Sequence, residues 1–226
     1  MIDLILKFIP NVIDYQHEFL ESISQTLQMM FYAGLFSFIS GLILGSILVV
    51  TKEGNIMENR FINTIINTLV NTLRSIPMII LIAAMYPLTY LIVGTGIGVK
   101  GGIFPITVGA TPFFIRQVDL ALSGVDPGLI EAAQSMGVSP IGILFRVYLR
   151  ESIPALAGAT TITAISLLGL TTLGGAVGAG GLGSFVIRYG SNRYMYDIIY
   201  VSVFVTLIIV SIFQGIGNFV IKKTTH

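Results

Sequence analysis

Few residues in this 226-residue chain could make or break bonds, and their types and spacing say more about what is excluded. There is no cysteine, so disulfides, thiolate nucleophiles and cysteine-held metals are ruled out. The histidines, His17 and His226, stand near opposite ends, which rules out a histidine-rich metal centre inside the chain. No His/Asp/Glu pair and no Ser–Lys arrangement falls in the apolar stretches, so the usual acid–base and nucleophilic machinery is missing. Gly178-x-Gly180-x-x-Gly183 matches the dinucleotide fingerprint in letters only. That motif requires a strand before it, a helix after it and an acidic residue about 20 positions further on. Here a bilayer-length apolar segment precedes it. A phosphate-binding G-x4-GK[ST] loop is absent as well. The chain is therefore expected to hold no cofactor, no metal and no catalytic residue.

The elements that carry these residues follow from composition. Twelve basic and 11 acidic side chains make only 10% of the chain charged, while 54% is apolar. An ordinary soluble domain carries roughly 25% charge. Mean hydropathy is +0.90. So little polar surface cannot cover a soluble domain, and the net charge of +1 gives no reason to expect nucleic acid as a partner. The 25 glycines and 8 prolines show no triplet period, which excludes collagen. A polytopic membrane protein remains. Without the ten-residue alternation of a barrel, its spans must be helices of about 20 residues.

Charge-free intervals place five such spans, at 24–50, within 62–94, and at 103–122, 154–174 and 198–221. The stretch 61–94 is too long for one upright crossing. Residues 61–73 are read as an interfacial or broken approach with Arg74 at headgroup level, and Pro77 begins or kinks the crossing proper. The start of the chain lacks a secretory pattern, because Lys7 and Pro10 interrupt a short apolar run and Asp14, Glu18 and Glu21 follow. Residues 2–20 are expected to form an amphipathic helix on the membrane surface. The expected fold is thus all-α and integral to the membrane, a single transmembrane domain over 1–226.

Basic residues set the orientation. Five spans put the ends on opposite sides; one side then collects 8 of the 12 basic residues and the other 4. The richer side is expected to be cytoplasmic, which puts the N-terminus outside and residues 123–151 inside. That inner loop is patterned. Asp126 can cap a helix whose first position is Pro127, Gly137 can stop it, and Ser139-Pro140 repeats the start signal for a second short helix toward Arg150. Leu129, Ala133 and Met136 fall on one side at helical spacing, a face suited to a protein groove or to the chain's own bundle.

Glu131-Ala132-Ala133-x-x-x-Gly137, set between spans, resembles the EAA loop of bacterial ABC importer permeases. The family pattern continues at Val147 and Leu149, but Arg150 stands where the family has proline, and Pro154 follows four residues later. The resemblance extends along the chain. The run Arg74-Ser75-Ile76-Pro77 at the second crossing and the glycine-rich run from Gly174 to Gly183 look like the small permease of methionine importers. It implies a type I importer permease in the bacterial inner (cytoplasmic) membrane. Two copies would surround a central path, with two copies of an ATP-binding cassette ATPase and an extracytoplasmic methionine-binding lipoprotein as partners. It implies that Glu131 anchors the loop, that Ala132 and Ala133 allow close approach with Met136 as an adaptable knob, and that Gly137 turns the chain.

The glycine segment, Gly174, Gly175, Gly178, Gly180, Gly181 and Gly183, carries no charge. It is read as irregular backbone buried in protein at the outer mouth of the path. Gly41 and Gly45 fit a packing ridge on the first span. Met85, Thr107, Thr160 and Thr163 are the candidate path lining. No mid-membrane Asp, Glu or Lys supports a proton relay or ion coupling, and no inverted repeat is visible. Energy is therefore expected from a separate ATPase. The same transporter class with another small amino acid or anion, and an uncoupled channel, stay open beside methionine import.

Overall fold

The computed structural model describes residues 9–225. Among these residues four helices are long and apolar enough to cross a membrane: Gln16–Val50 (α2), Gly98–Ser123 (α5), Ile153–Ala176 (α9) and Tyr196–Thr224 (α11). A bent pair, Arg60–Ser75 (α3) and Met78–Val93 (α4), makes up to five spans, its halves turned by 109° at the break. Ile76 and Pro77 are extended there, so the second expected crossing is two helices, and Pro77 caps the start of the second one. The remaining helices are short: Pro10–Asp14 (α1), Pro127–Ser135 (α6), Pro140–Ile143 (α7), Leu149–Glu151 (α8) and Gly181–Phe185 (α10). Two π-helical turns, Leu144–Tyr148 and Val186–Ser191, interrupt the regular geometry.

The first long helix begins at Gln16, well before the expected residue 24. Residues 16–20 thus belong to α2 and not to a surface helix over 2–20; only the short α1 precedes it, and residues 2–8 of that expectation lie outside the described residues. The early turns of α2 are stable because their polar groups are answered locally. The Ser22 hydroxyl donates to the Phe19 carbonyl, and Thr26 donates to the carbonyl of Ser22. Phe19 meets the Phe185 ring at 5.5 Å, and the backbone N–H and side chain of Asn11 in α1 hold the carboxylate of Asp197 at 2.9 Å.

The chain divides into two compact units. One comprises Met1–Leu35, Pro77–Gly109 and Ala164–Phe213; the other comprises Phe36–Ile76, Ala110–Thr163 and Gln214–His226. In the second unit the glycine ridge does what its spacing implies. A Cβ on Gly41 would stand 2.7 Å from the Phe114 ring, and one on Gly45 would stand 2.7 Å from Val118. Helices α2 and α5 touch there at backbone distance. Around that contact Val49, Phe114, Val118, Leu122, Val125, Ala133, Ile143, Tyr148 and Ala159 form one apolar core.

Helix α3 is polar on one side, and that side is a ladder of Asn59, Asn63, Asn67 and Asn71, each four residues from the last. The Asn63 amide donates to the Leu48 carbonyl and to Thr51, Asn67 donates to Asn63, and Arg116 donates to Asn67 and Asn71. Arg116 also donates to Asp119 at 3.1 Å, and Lys52 reaches the same carboxylate at 2.5 Å. The charges at the end of α5 are therefore shared and hydrogen-bonded, as partly buried charges must be.

Candidate functional site

The 126–151 segment builds its shape from the local signals its sequence carries. The Asp126 carboxylate accepts from the Gly128 N–H at 2.8 Å, and Pro127 supplies a first helical residue with no N–H to satisfy. At the far end Gly137 adopts φ +73°, its N–H donates to the Gln134 carbonyl, and the Val138 N–H donates to Ala133. That pair of bonds is a Schellman stop, and only glycine enters it without strain. Ser139 then caps α7 through the Gly142 N–H at 3.2 Å.

What anchors the segment differs from the expectation at Glu131. Ala133 is buried in the core of the second unit, together with Val125, Ile143 and Tyr148. The Tyr148 hydroxyl donates to Asn55 at 2.9 Å. Glu131 is exposed and makes no hydrogen bond or ion pair among the described residues, so the loop is held by the Ala133 methyl and not by that carboxylate. It lines a cleft of about 440 Å³ with Lys52, Glu53, Asn55, Pro127 and Gln134. The expected common face of Leu129, Ala133 and Met136 also divides. A nine-residue helix lying on a core must bury one stripe, and Ala133 takes it. Leu129 and Met136 stay in the open with Ile141 and Phe145, Met136 being 75% exposed. Ala132 is exposed beside them. The outcome is a rigid, doubly capped helix presenting an apolar knob, a carboxylate and a neighbouring cleft, with no catalytic arrangement.

The glycine segment is ordered by close approach. A Cβ on Gly183 would stand 2.1 Å from the Thr172 carbonyl oxygen, and one on Gly175 would stand 2.6 Å from the Ser184 nitrogen. Gly178, Gly180 and Gly181 have φ of +97°, +85° and +75°. Gly174 faces the side chain of Ile106. The N–H groups of Gly181 and Leu182 donate to Gln25 and Thr26 of α2, at 2.7 and 2.8 Å. The backbone is irregular and largely buried, not a loose loop.

The four candidate path residues do not form a cluster. Met85 and Thr107 are half-buried in the first unit; Thr160 is half-buried in the second. Thr163 is wholly buried, with its hydroxyl donating to the Ala159 carbonyl, so it offers no surface to a solute in this conformation. Sequence reasoning missed the Lys52–Asp119–Arg116 network and the asparagine ladder that completes it. The four-residue spacing from Asn59 to Asn71 was the available signal.

Residues 37–224 match the family described as binding-protein-dependent transport system inner membrane component. The chain is 42% identical over 202 residues to the probable D-methionine transport system permease protein MetI of Vibrio cholerae, covering 89% of this chain and 90% of that protein. It is 40% identical to the corresponding Pasteurella multocida protein, covering 89% and 93%. Among solved structures it superposes on a chain of the inward-facing MetNI methionine ABC transporter with a TM-score of 0.92 at 40% identity, over 94% of this chain and 99% of that one.

Proposed function

The chain belongs to the binding-protein-dependent transport system inner membrane component family, and from that premise we propose that it is the permease subunit of an ATP-driven importer carrying methionine into the cytoplasm. It is a multi-pass protein of the inner membrane, and ATP is hydrolysed by a separate subunit. The bent pair α3–α4 counts as one crossing in this reading, which makes five spans with the N-terminus outside. The excess of 8 basic residues over 4 supports that orientation. Residues 1–226 act as one permease domain, and 123–151 form the cytoplasmic coupling loop within it. Two copies surround the path, each engages one of two ATPase subunits, and an extracytoplasmic methionine-binding lipoprotein delivers the cargo to the outer mouth, where the glycine segment sits.

The observation that carries the coupling assignment is the exposure of Leu129, Glu131 and Met136 on a helix fixed at both ends and pinned through Ala133. Rigid pinning lets force on α6 reach the core around Val118 and Leu122 without being absorbed by the loop. Two discrete arrangements of packed helices can then be switched by the ATPase. The permease itself stabilises no chemical transition state.

The experiment is co-purification with the ATPase subunit, followed by ATP-driven methionine uptake in proteoliposomes that also receive the binding protein. Glu131→Lys and Gly137→Val are expected to cut uptake at least about tenfold by weakening subunit docking while leaving membrane insertion intact. Normal uptake in both variants would refute the coupling assignment. A flux independent of ATP would refute import and favour a channel.

A further inference from the structure

The first unit contains a second cleft, of about 410 Å³, that no step above uses. One wall is Ile82, Ala83, Tyr86 and Pro87 of α4; the facing wall includes Pro105 of α5 and Ala179 of the glycine segment. No charged side chain lines it. Its size is that of a small-molecule site.

One group in this wall is out of place. Thr89 is 1% exposed, and its hydroxyl has no hydrogen-bond partner. Other helical threonines solve this problem locally. Thr107, Thr160, Thr161, Thr163 and Thr206 each donate to the carbonyl four residues back. Thr89 does not, although it lines the cleft. A buried hydroxyl without a partner costs about 1–3 kcal/mol, so such groups are rare without a reason. The neighbouring backbone is also incompletely bonded. Pro87 lies inside α4 and has no N–H, so the Ala83 carbonyl lacks its helical donor.

We infer that this cleft is a subsite for the side chain of the transported amino acid, with Thr89 as its polar contact. The inference rests on the import reading above. The chemistry points to an uncharged side chain of apolar body with one weakly polar atom, and a thioether has that character. Its sulfur can accept from the Thr89 hydroxyl and lie near the Tyr86 ring, while its methylenes cover the aliphatic wall. The ammonium and carboxylate stay at the open mouth, because nothing in the lining could pair with them. A lipid acyl chain would fill the volume but leave Thr89 unanswered.

The natural chain has no cysteine, so Ala83→Cys supplies a single reporter thiol on the exposed rim of the cleft. In the transporter reconstituted with ATPase and binding protein, methionine is expected to slow maleimide labelling of Ala83→Cys. Norleucine, which has a methylene for the sulfur, should protect about three- to tenfold less well. Adding Thr89→Val, which keeps the shape and removes the hydroxyl, should erase the difference between the two ligands. Labelling unaffected by methionine while uptake proceeds normally would overturn the subsite and leave the import reading standing. Equal protection by both ligands would overturn the role of Thr89. A thiol that never labels, with ligand or without, would show the cleft filled by lipid or a second copy and would overturn the proposal. Absence of uptake by the unmodified protein would instead be the failure of the import reading.

Discussion

The 126–151 segment and the 174–191 segment are built from the same parts with opposite logic. Each holds a short helix of nine or five residues and ends in a π-helical stretch. In the first, the caps come from within: Asp126 serves Gly128, and Ser139 serves Gly142. In the second, the N–H groups of Gly181 and Leu182 are served by Gln25 and Thr26, 156 residues earlier in the chain. The first exposes an apolar knob, whereas the second buries Leu182 and Phe185 and leaves no room for a Cβ at Gly183. One is a local device mounted on a core, suited to meeting a partner. The other exists only because remote helices hold it.

Four changes would break or sharpen this contrast. The largest effect is expected at Gly183→Ala, where the new methyl would meet the Thr172 backbone oxygen and neither side can move cheaply. A loss of about 3 kcal/mol, seen as a lower thermal midpoint of the detergent-solubilised protein, is expected; an unchanged midpoint would mean the close approach is not real. Next is Thr26→Val, which leaves the buried Leu182 N–H without its acceptor and should cost about 1–3 kcal/mol. Hydrogen exchange should quicken in 181–185 and stay as it was in 127–135. Asp126→Ala should do the reverse, with about 1 kcal/mol lost and faster exchange limited to α6. Spread of either effect into the other segment would show that the two are not separately held. The smallest stability effect is expected at Met136→Ser, within about 0.5 kcal/mol because the side chain is exposed. ATP-driven uptake should nevertheless fall, and normal uptake would remove Met136 from the docking surface.

Short-range patterns carried much of this protein in its sequence. Apolar length predicted the helices at 98–123, 153–176 and 196–224, because a bilayer fixes how many apolar residues a span needs. Cap, proline and glycine signals predicted both short loop helices, because each signal acts over two to four residues. Pro77 and Gly137 were legible for the same reason: their backbone preferences hold in any context. Tertiary structure decided the rest. It drew the polar start of α2 into a continuous helix by giving Phe19 a ring partner at residue 185. It chose Ala133 rather than Glu131 as the anchor of the loop, since helical spacing names the stripes of a helix but not the one that is buried. It brought Asp119 to Lys52 and Arg116 to the asparagine ladder, and it left Thr89 buried with an unanswered hydroxyl. Those outcomes depend on which distant surfaces meet, and a pattern repeating over three or four residues holds no record of a neighbour 50 or 150 residues away.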